Sequence, residues 1–201
     1  MKIFNLYKSI GVLALAITLL TSCSNDQYWS DPVTETLPAL TSGSADFSNY
    51  VALGASFSAG VSSGSLFIAS QNNSFPNLLS GALANAGGGE FRQPMVSDNI
   101  GGLLLGGVQI VGPRLYFNGV GPVYLDATPT TEVTNILTGP FNNMGVGGAK
   151  SFHFVAPGYG NLAGVPLGLA NPYFARMASS PNATVLEDAV SQDPTFFTIS
   201  V

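Results

Sequence analysis

The chain has 201 residues, 46% of them hydrophobic and only 8% charged, with 24 Gly and 13 Pro. So few charges exclude a highly charged disordered chain, and so many turn formers argue against a helical bundle and for one domain with a core and many tight turns. The formal net charge is −5; outside the N-terminal segment the basic residues are Arg92, Arg114, Lys150 and Arg176, too few and too scattered for the basic patch that nucleic acid requires.

In chain order the first element reads as an address. Lys2 and Lys8 precede an apolar run from Ile10 to Leu20, and small residues follow at once. A basic start, a short apolar stretch and a small-residue zone form a secretory signal over residues 1–22, too short for a membrane span. Leu20-Thr21-Ser22-Cys23 resembles the lipobox of bacterial lipoproteins. The resemblance implies cleavage before Cys23, lipid on its sulfur and new amino group, and anchorage in the cell envelope, in the outer membrane of a Gram-negative bacterium. Several acyl chains on one residue anchor stably where one is marginal. The alternative is an ordinary signal peptide with an incidental Cys. Cys23 is the only cysteine, so no disulfide forms within the chain. Residues 23–46, polar and rich in Ser, Thr, Pro and Asp, read as a tether with Trp29 and Leu37 as its few large apolar side chains.

The domain opens at residue 47. Tyr50 to Leu53 is a short apolar run ending at Gly54, with Ser56 just beyond, and reads as a buried strand that delivers a serine to a sheet edge. Leu66 to Ala69 is an apolar patch. Ser74 to Ala86 reads as a helix, with Ser74 as its cap, Pro76 in the first turn, and Leu78, Leu79, Ala82, Leu83 and Ala86 on one face. Gly87-Gly88-Gly89 ends it. Residues 90–140 carry paired glycines between short β-like runs, Val108 to Val111, Leu115 to Asn118 and Val123 to Leu125, and a weak helical signal at Thr131 to Leu137. This region reads as a β-rich or irregular insertion on the sheet edge, either a functional rim or a structural cover.

After the insertion, Gly145, Gly147 and Gly148 allow a tight turn whose backbone N–H groups are free to face a ligand. Lys150 to Ala156 fits one or two helical turns, and a loop rich in Pro and Gly runs on to Pro172. Pro181 to Ser191 has helical apolar spacing. Thr195 to Val201 is β-branched and aromatic, hence a strand. A helix leading into a buried strand is half of a βαβ unit, so the fold class is α/β.

Among chemistry-bearing residues, Ser56 lies in Gly54-Ala55-Ser56-Phe57-Ser58, which is not a G-x-S-x-G elbow. It is either a nucleophile or part of a plain strand-to-helix turn. A serine hydroxyl also needs a base. His153 is the only histidine and lies in the apolar string Phe152 to Val155, where a partly buried, hydrogen-bonded core histidine is the plainer reading. One His and one lipidated Cys do not make a metal site, and no phosphate loop is present, so no cofactor is expected.

Two blocks together resemble the GDSL, or SGNH, hydrolase family. Tyr50-Val51-Ala52-Leu53-Gly54-Ala55-Ser56-Phe57-Ser58-Ala59-Gly60 is similar to block I, and Asn143-Met144-Gly145-Val146-Gly147-Gly148-Ala149 to block II. Asp193 to Val201 looks like the strand leading to block III. The resemblance covers about Phe47 to Val201, is closest to envelope lipoproteins of the family, and implies a three-layer α/β/α sandwich with a parallel, flavodoxin-like sheet. It further implies ester hydrolysis, with Ser56 as nucleophile and the Gly148 N–H as oxyanion donor, acting on a lipid or an acylated glycan. Two departures stand out. Ala55 replaces the polar residue usual before the Ser. The Gly-x-Asn-Asp of block III and the Asp-x-x-His of block V would lie beyond Val201, so the chain is expected to be the N-terminal part of a C-terminally incomplete domain, with little or no hydrolysis by itself. The alternative is a non-catalytic envelope lipoprotein that binds lipid or glycan.

Overall fold

The computed structural model describes residues 39–201; the expected leader, Cys23 and the tether through residue 38 lie outside the described residues. The fold of Leu40–Val201 is mixed α/β. Its strands are β1 (Tyr50–Gly54), β2 (Leu103–Leu105), β3 (Val108–Val111), β4 (Leu115–Phe117), β5 (Pro122–Tyr124), β6 (Asn143–Gly145) and β7 (Phe196–Ser200). Its helices are short: α1 (Ser56–Ala59), α2 (Ile68–Asn72), α3 (Phe75–Ala84), α4 (Pro172–Ala175) and α5 (Val185–Val190). Ser151–Val155 and Leu162–Leu167 form 3-10 turns.

The centre is a three-stranded sheet in the order β6-β1-β7, parallel throughout. β1 pairs Leu53 with Met144 on one side and with Ile199 on the other. As a central parallel strand it is buried at all five positions, which explains its unbroken apolar run. Side chains alternate across a strand. Val51 and Leu53 join Met144, Val146, Phe154, Phe174, Val185 and Ala189 in the main core, on the side of α5. Ala52 and Gly54 face the other way, and there α1 sits. Along the outer side of β6 runs the start of the insertion: Asn143 N donates to the Arg92 carbonyl at 3.1 Å, and Arg92 N donates to Asn142 Oδ1 at 3.0 Å. That strand edge is therefore covered. β7 is the other margin, with Phe197 61% and Ile199 59% exposed.

Several local expectations need correction. The helix expected over Ser74 to Ala86 is α3, but Leu78 and Ala82 point to solvent, and the half-buried line is Phe75, Leu79, Leu83 and Ala86. Ser74 does not cap it; its hydroxyl turns to Gln93 Oε1 at 3.2 Å. The weak helical signal at Thr131 to Leu137 is overridden by pairing. Leu104 N donates to the Thr131 carbonyl and Val133 N to the Leu104 carbonyl, each at 2.8 Å, and Val133 is fully buried. The rest of the insertion forms two antiparallel pairs, β2 with β3 and β4 with β5. The helix expected over Pro181 to Ser191 shortens to α5, because its N-terminus is set by Thr184: Thr184 Oγ1 accepts from Glu187 N at 3.1 Å while Glu187 Oε2 accepts from Thr184 N at 2.9 Å.

Asp98 organises the insertion. Its carboxylate accepts from Ile100 N at 2.7 Å, Gly101 N at 3.0 Å and Thr130 N at 3.1 Å, and from the Thr130 hydroxyl. Partial burial pushes its pKa up, but the four hydrogen bonds outweigh burial and hold it below the ordinary Asp value. A depressed folded pKa means that this contribution to stability is complete above the unfolded value of about 4 and is lost as pH falls through the folded value. The melting temperature is therefore expected to drop on acidification below about pH 4, and to drop less steeply in Asp98→Asn, as thermal melts between pH 7 and pH 2 will show.

Candidate active site

The site forms where β1 and β6 end. β1 closes at Gly54, Ala55 makes the turn, and α1 opens on Ser56. Ala55 supplies no side-chain cap. The turn is held instead by the neighbouring strands. Val146 N donates to the Gly54 carbonyl at 2.8 Å, and Ala55 N donates to the Ser200 carbonyl at 2.9 Å. Asn143, buried at 2% exposure, adds a side-chain clamp. Its Nδ2 donates to the Ser58 carbonyl and to Gln93 Oε1, both at 3.0 Å, and its Oδ1 accepts from Gly145 N at 3.0 Å. The apolar Ala55 is thus compensated by three partners from outside the motif.

Two glycines let α1 press onto the sheet. A Cβ on Gly54 would lie 2.0 Å from Ser58 Oγ and 2.6 Å from the Ser200 carbonyl oxygen, and one on Gly145 would lie 2.3 Å from Ala59 N. Ser58, the second serine of the motif, is fully buried, and its hydroxyl has no hydrogen-bond partner among the described residues. Its burial keeps it from substrate. Ser56 is half-buried and faces the turn after β6.

That turn runs from Val146 to Ala149, closed by Ala149 N donating to the Val146 carbonyl at 3.1 Å. Gly148, its third residue, has φ +81°, the left-handed value that a type II turn requires and that glycine supplies without strain. Gly148 N donates to Ser56 Oγ at 3.2 Å. The two residues singled out from the sequence therefore meet, and Gly148 is exposed. An acyl carbonyl approaching Ser56 would find that N–H beside its oxygen, together with the N–H of Ser56, which opens a helix and has no carbonyl of that helix to bind.

His153 is not placed on the serine. It is half-buried in the 3-10 turn, its Nδ1 accepts from Lys150 N at 3.0 Å, and its ring stacks on Tyr159 at 4.3 Å. No base touches Ser56 Oγ among the described residues. These residues also contain no group of three or more His, Cys, Asp or Glu able to hold a metal, and no helix long and apolar enough to cross a membrane. Cys23 lies outside them.

A cleft of about 400 Å³ starts on the same turn as Ser56, lined by Phe57, Gly60, Val61, Phe67, Asn73 and Phe75. Phe57 and Phe75 stack at 4.9 Å along it, and Val61 closes on the Val146–Ala149 turn, its Cγ2 lying 3.1 Å from where a Gly147 Cβ would be.

Two residues of the site escape a reading of the sequence. Asn143 opens the block II resemblance, but its clamp on Ser58 has no sequence signal, and β6 itself is missed because Asn-Met-Gly carries no strand propensity. Asn171 stands at the end of what reads as loop. Its signal is the pair Asn171-Pro172, a helix cap followed by a first-turn proline: Asn171 Oδ1 accepts from Tyr173 N at 2.9 Å and Phe174 N at 3.1 Å and so starts α4. Comparison of the chain with protein-family models, with curated proteins and with solved structures found no match.

Proposed function

We propose that the chain carries the nucleophile half of a serine ester hydrolase of the GDSL type, on an α/β/α sandwich anchored to the cell envelope through lipid on Cys23. The observation that carries this reading is the 3.2 Å contact of the Gly148 N–H with Ser56 Oγ at the carboxyl ends of two parallel strands. In the reaction, Ser56 Oγ attacks the ester carbonyl carbon while a base takes its proton. The C=O electrons move onto the oxygen, which the N–H groups of Ser56 and Gly148 hold. The intermediate collapses, the alcohol leaves with the proton, and water releases the acid from the acylated serine. The apolar cleft beside Phe57 suits the acyl chain of a lipid ester or an acylated glycan.

The base in this reading belongs to an Asp-x-x-His segment encoded after Val201. The exposure of Phe197 and Ile199, which share one face of β7, supports a further βα unit there whose helix would cover that face, since parallel sheets are ordinarily covered on both faces. Reading the DNA downstream of codon 201 tests it: Gly-x-Asn-Asp followed by Asp-x-x-His upholds the hydrolase, and a stop codon with neither leaves a non-catalytic lipoprotein that binds lipid or glycan in the same cleft.

The assignment of Ser56 is tested with an alkyl fluorophosphonate on the longest product the gene encodes, in which the base is present. Ser56 Oγ forms a bond to phosphorus while the base takes its proton, and fluoride leaves. Peptide mass spectrometry is expected to find the adduct on Ser56 and none on buried Ser58. Labelling spread evenly over exposed serines, sparing Ser56, would sink the assignment.

A further inference from the structure

The oxyanion turn is built on a peptide with two accessible orientations. Type I and type II turns differ by a flip of the central peptide, and a glycine at the third position admits both. In the Val146–Ala149 turn that peptide joins Gly147 to Gly148. Its carbonyl and N–H point in opposite directions, as in any trans peptide. In the observed orientation the Gly148 N–H faces Ser56; after a flip the Gly147 carbonyl would face it, and the turn would repel an oxyanion.

We infer that Asn171 is the positioning residue that selects the productive orientation, an inference that rests on Gly148 being the oxyanion donor. Asn171 Nδ2 donates to the Gly147 carbonyl at 2.9 Å and to the Tyr159 hydroxyl at 3.0 Å. The amide cannot be turned around, because Oδ1 already accepts from two backbone N–H groups, Tyr173 and Phe174, which are donors only. The NH2 group therefore always faces the Gly147 carbonyl. Asn171 is itself fixed: it is buried at 9% exposure, and its own N–H donates to the Tyr159 carbonyl at 2.8 Å. Val61 and Tyr173 crowd Gly147 from another side, with side-chain atoms 3.1 and 3.4 Å from where a Cβ would be. A helix cap at the start of α4 thus holds one end of a peptide whose other end meets the nucleophile.

Asn171→Asp separates the two duties. Asp caps a helix as well as Asn does, so α4 and the melting temperature are expected to hold. The donor to Gly147 is lost, and a carboxylate oxygen then opposes a carbonyl oxygen. In amide-resolved NMR of the isotopically labelled chain, the Gly148 resonance is expected to shift and its hydrogen exchange to accelerate at pH 7. Both return towards wild type below about pH 4, where the introduced carboxyl is protonated and donates again. In the longest product the gene encodes, fluorophosphonate labelling of Ser56 is expected to slow on the order of 10²-fold at pH 7, the usual cost of one oxyanion donor. Asn171→Ser, also a good cap but too short to reach Gly147, gives the same signature without the pH rescue and serves if the Asp variant unfolds. A folded variant with an unchanged Gly148 amide would overturn the inference and leave Asn171 as a cap alone. An amide that moves, together with a Ser56 that never labels in the longest product the gene encodes, upholds the positioning role and refutes the hydrolase reading.

Discussion

Replacing Ser56 by Ala is expected to bring hydrolysis of p-nitrophenyl acetate down to the buffer rate, a loss on the order of 10⁴-fold or more where nucleophile and base act as a unit. The reason is geometric. Ser56 presents a half-buried hydroxyl within 3.2 Å of the Gly148 N–H, whereas Ser58, two residues on in α1, is sealed against the sheet. No neighbouring hydroxyl can take over. The measurement belongs on the longest product the gene encodes, because no base touches Ser56 among the described residues. The substitution removes one acceptor from an exposed amide, so the melting temperature should stay within about 1 °C of wild type, as for other surface changes of up to about 0.5 kcal/mol. Equal rates in wild type and variant would take Ser56 out of the chemistry.

Gly145→Ala is expected to cost about 3 kcal/mol and to lower the melting temperature by roughly 6–12 °C for a domain of this size. The added methyl would meet main chain, Ala59 N at 2.3 Å and the Ser58 carbonyl carbon at 2.6 Å, with no flexible side chain to move aside. Relief requires lifting α1 off β6, which also strains the Asn143 clamp on the Ser58 carbonyl. The same shift carries Ser56 away from Gly148, so labelling of Ser56 should fall together with stability. Gly81→Ala is the matched control. Gly81 lies in α3, exposed, with no atom within 4 Å of a new Cβ. Removing a helical glycine there should stabilise by about 0.5–1 kcal/mol. A Gly145→Ala protein that melts like wild type would show that the close packing of α1 on the sheet is not what holds the site together.

Much of the local structure was legible because it depends on short-range pattern. The apolar run of β1 announces itself because burial in a parallel sheet selects for such residues, and β7, expected as a buried strand, shows its β-branched, aromatic propensity although it lies half-exposed at the margin. Val108 to Val111 is β3, residue for residue, and the runs at Leu115 and Val123 differ from β4 and β5 by about one residue at their ends. Glycine spacing marked the turn that carries Gly148. Where sequence reasoning failed, a tertiary partner had overruled a local preference. Thr131 to Leu137 is drawn out by pairing with Leu104. Ser74 gives up its cap for Gln93. The buried line of α3 follows Phe75, Leu79 and Leu83 rather than Leu78 and Ala82.

By itself, then, the sequence determined the strand that delivers Ser56, the glycine turn that can expose an N–H, and the absence of a second histidine or cysteine that could make a metal site. What it left open is everything that depends on residues far apart in the chain becoming neighbours. The parallel order β6-β1-β7 brings Gly148 to Ser56 across 92 positions. The packing of α1 over Gly54 and Gly145 sorts an accessible serine from a buried one. Asn143, which opens the block II resemblance, and Asn171, unremarkable among the chain's polar residues, acquire their parts only because the fold sets a carbonyl within 3.0 Å of each side-chain amide. A hydrogen bond is decided by distance and direction, and those exist only once the chain has packed.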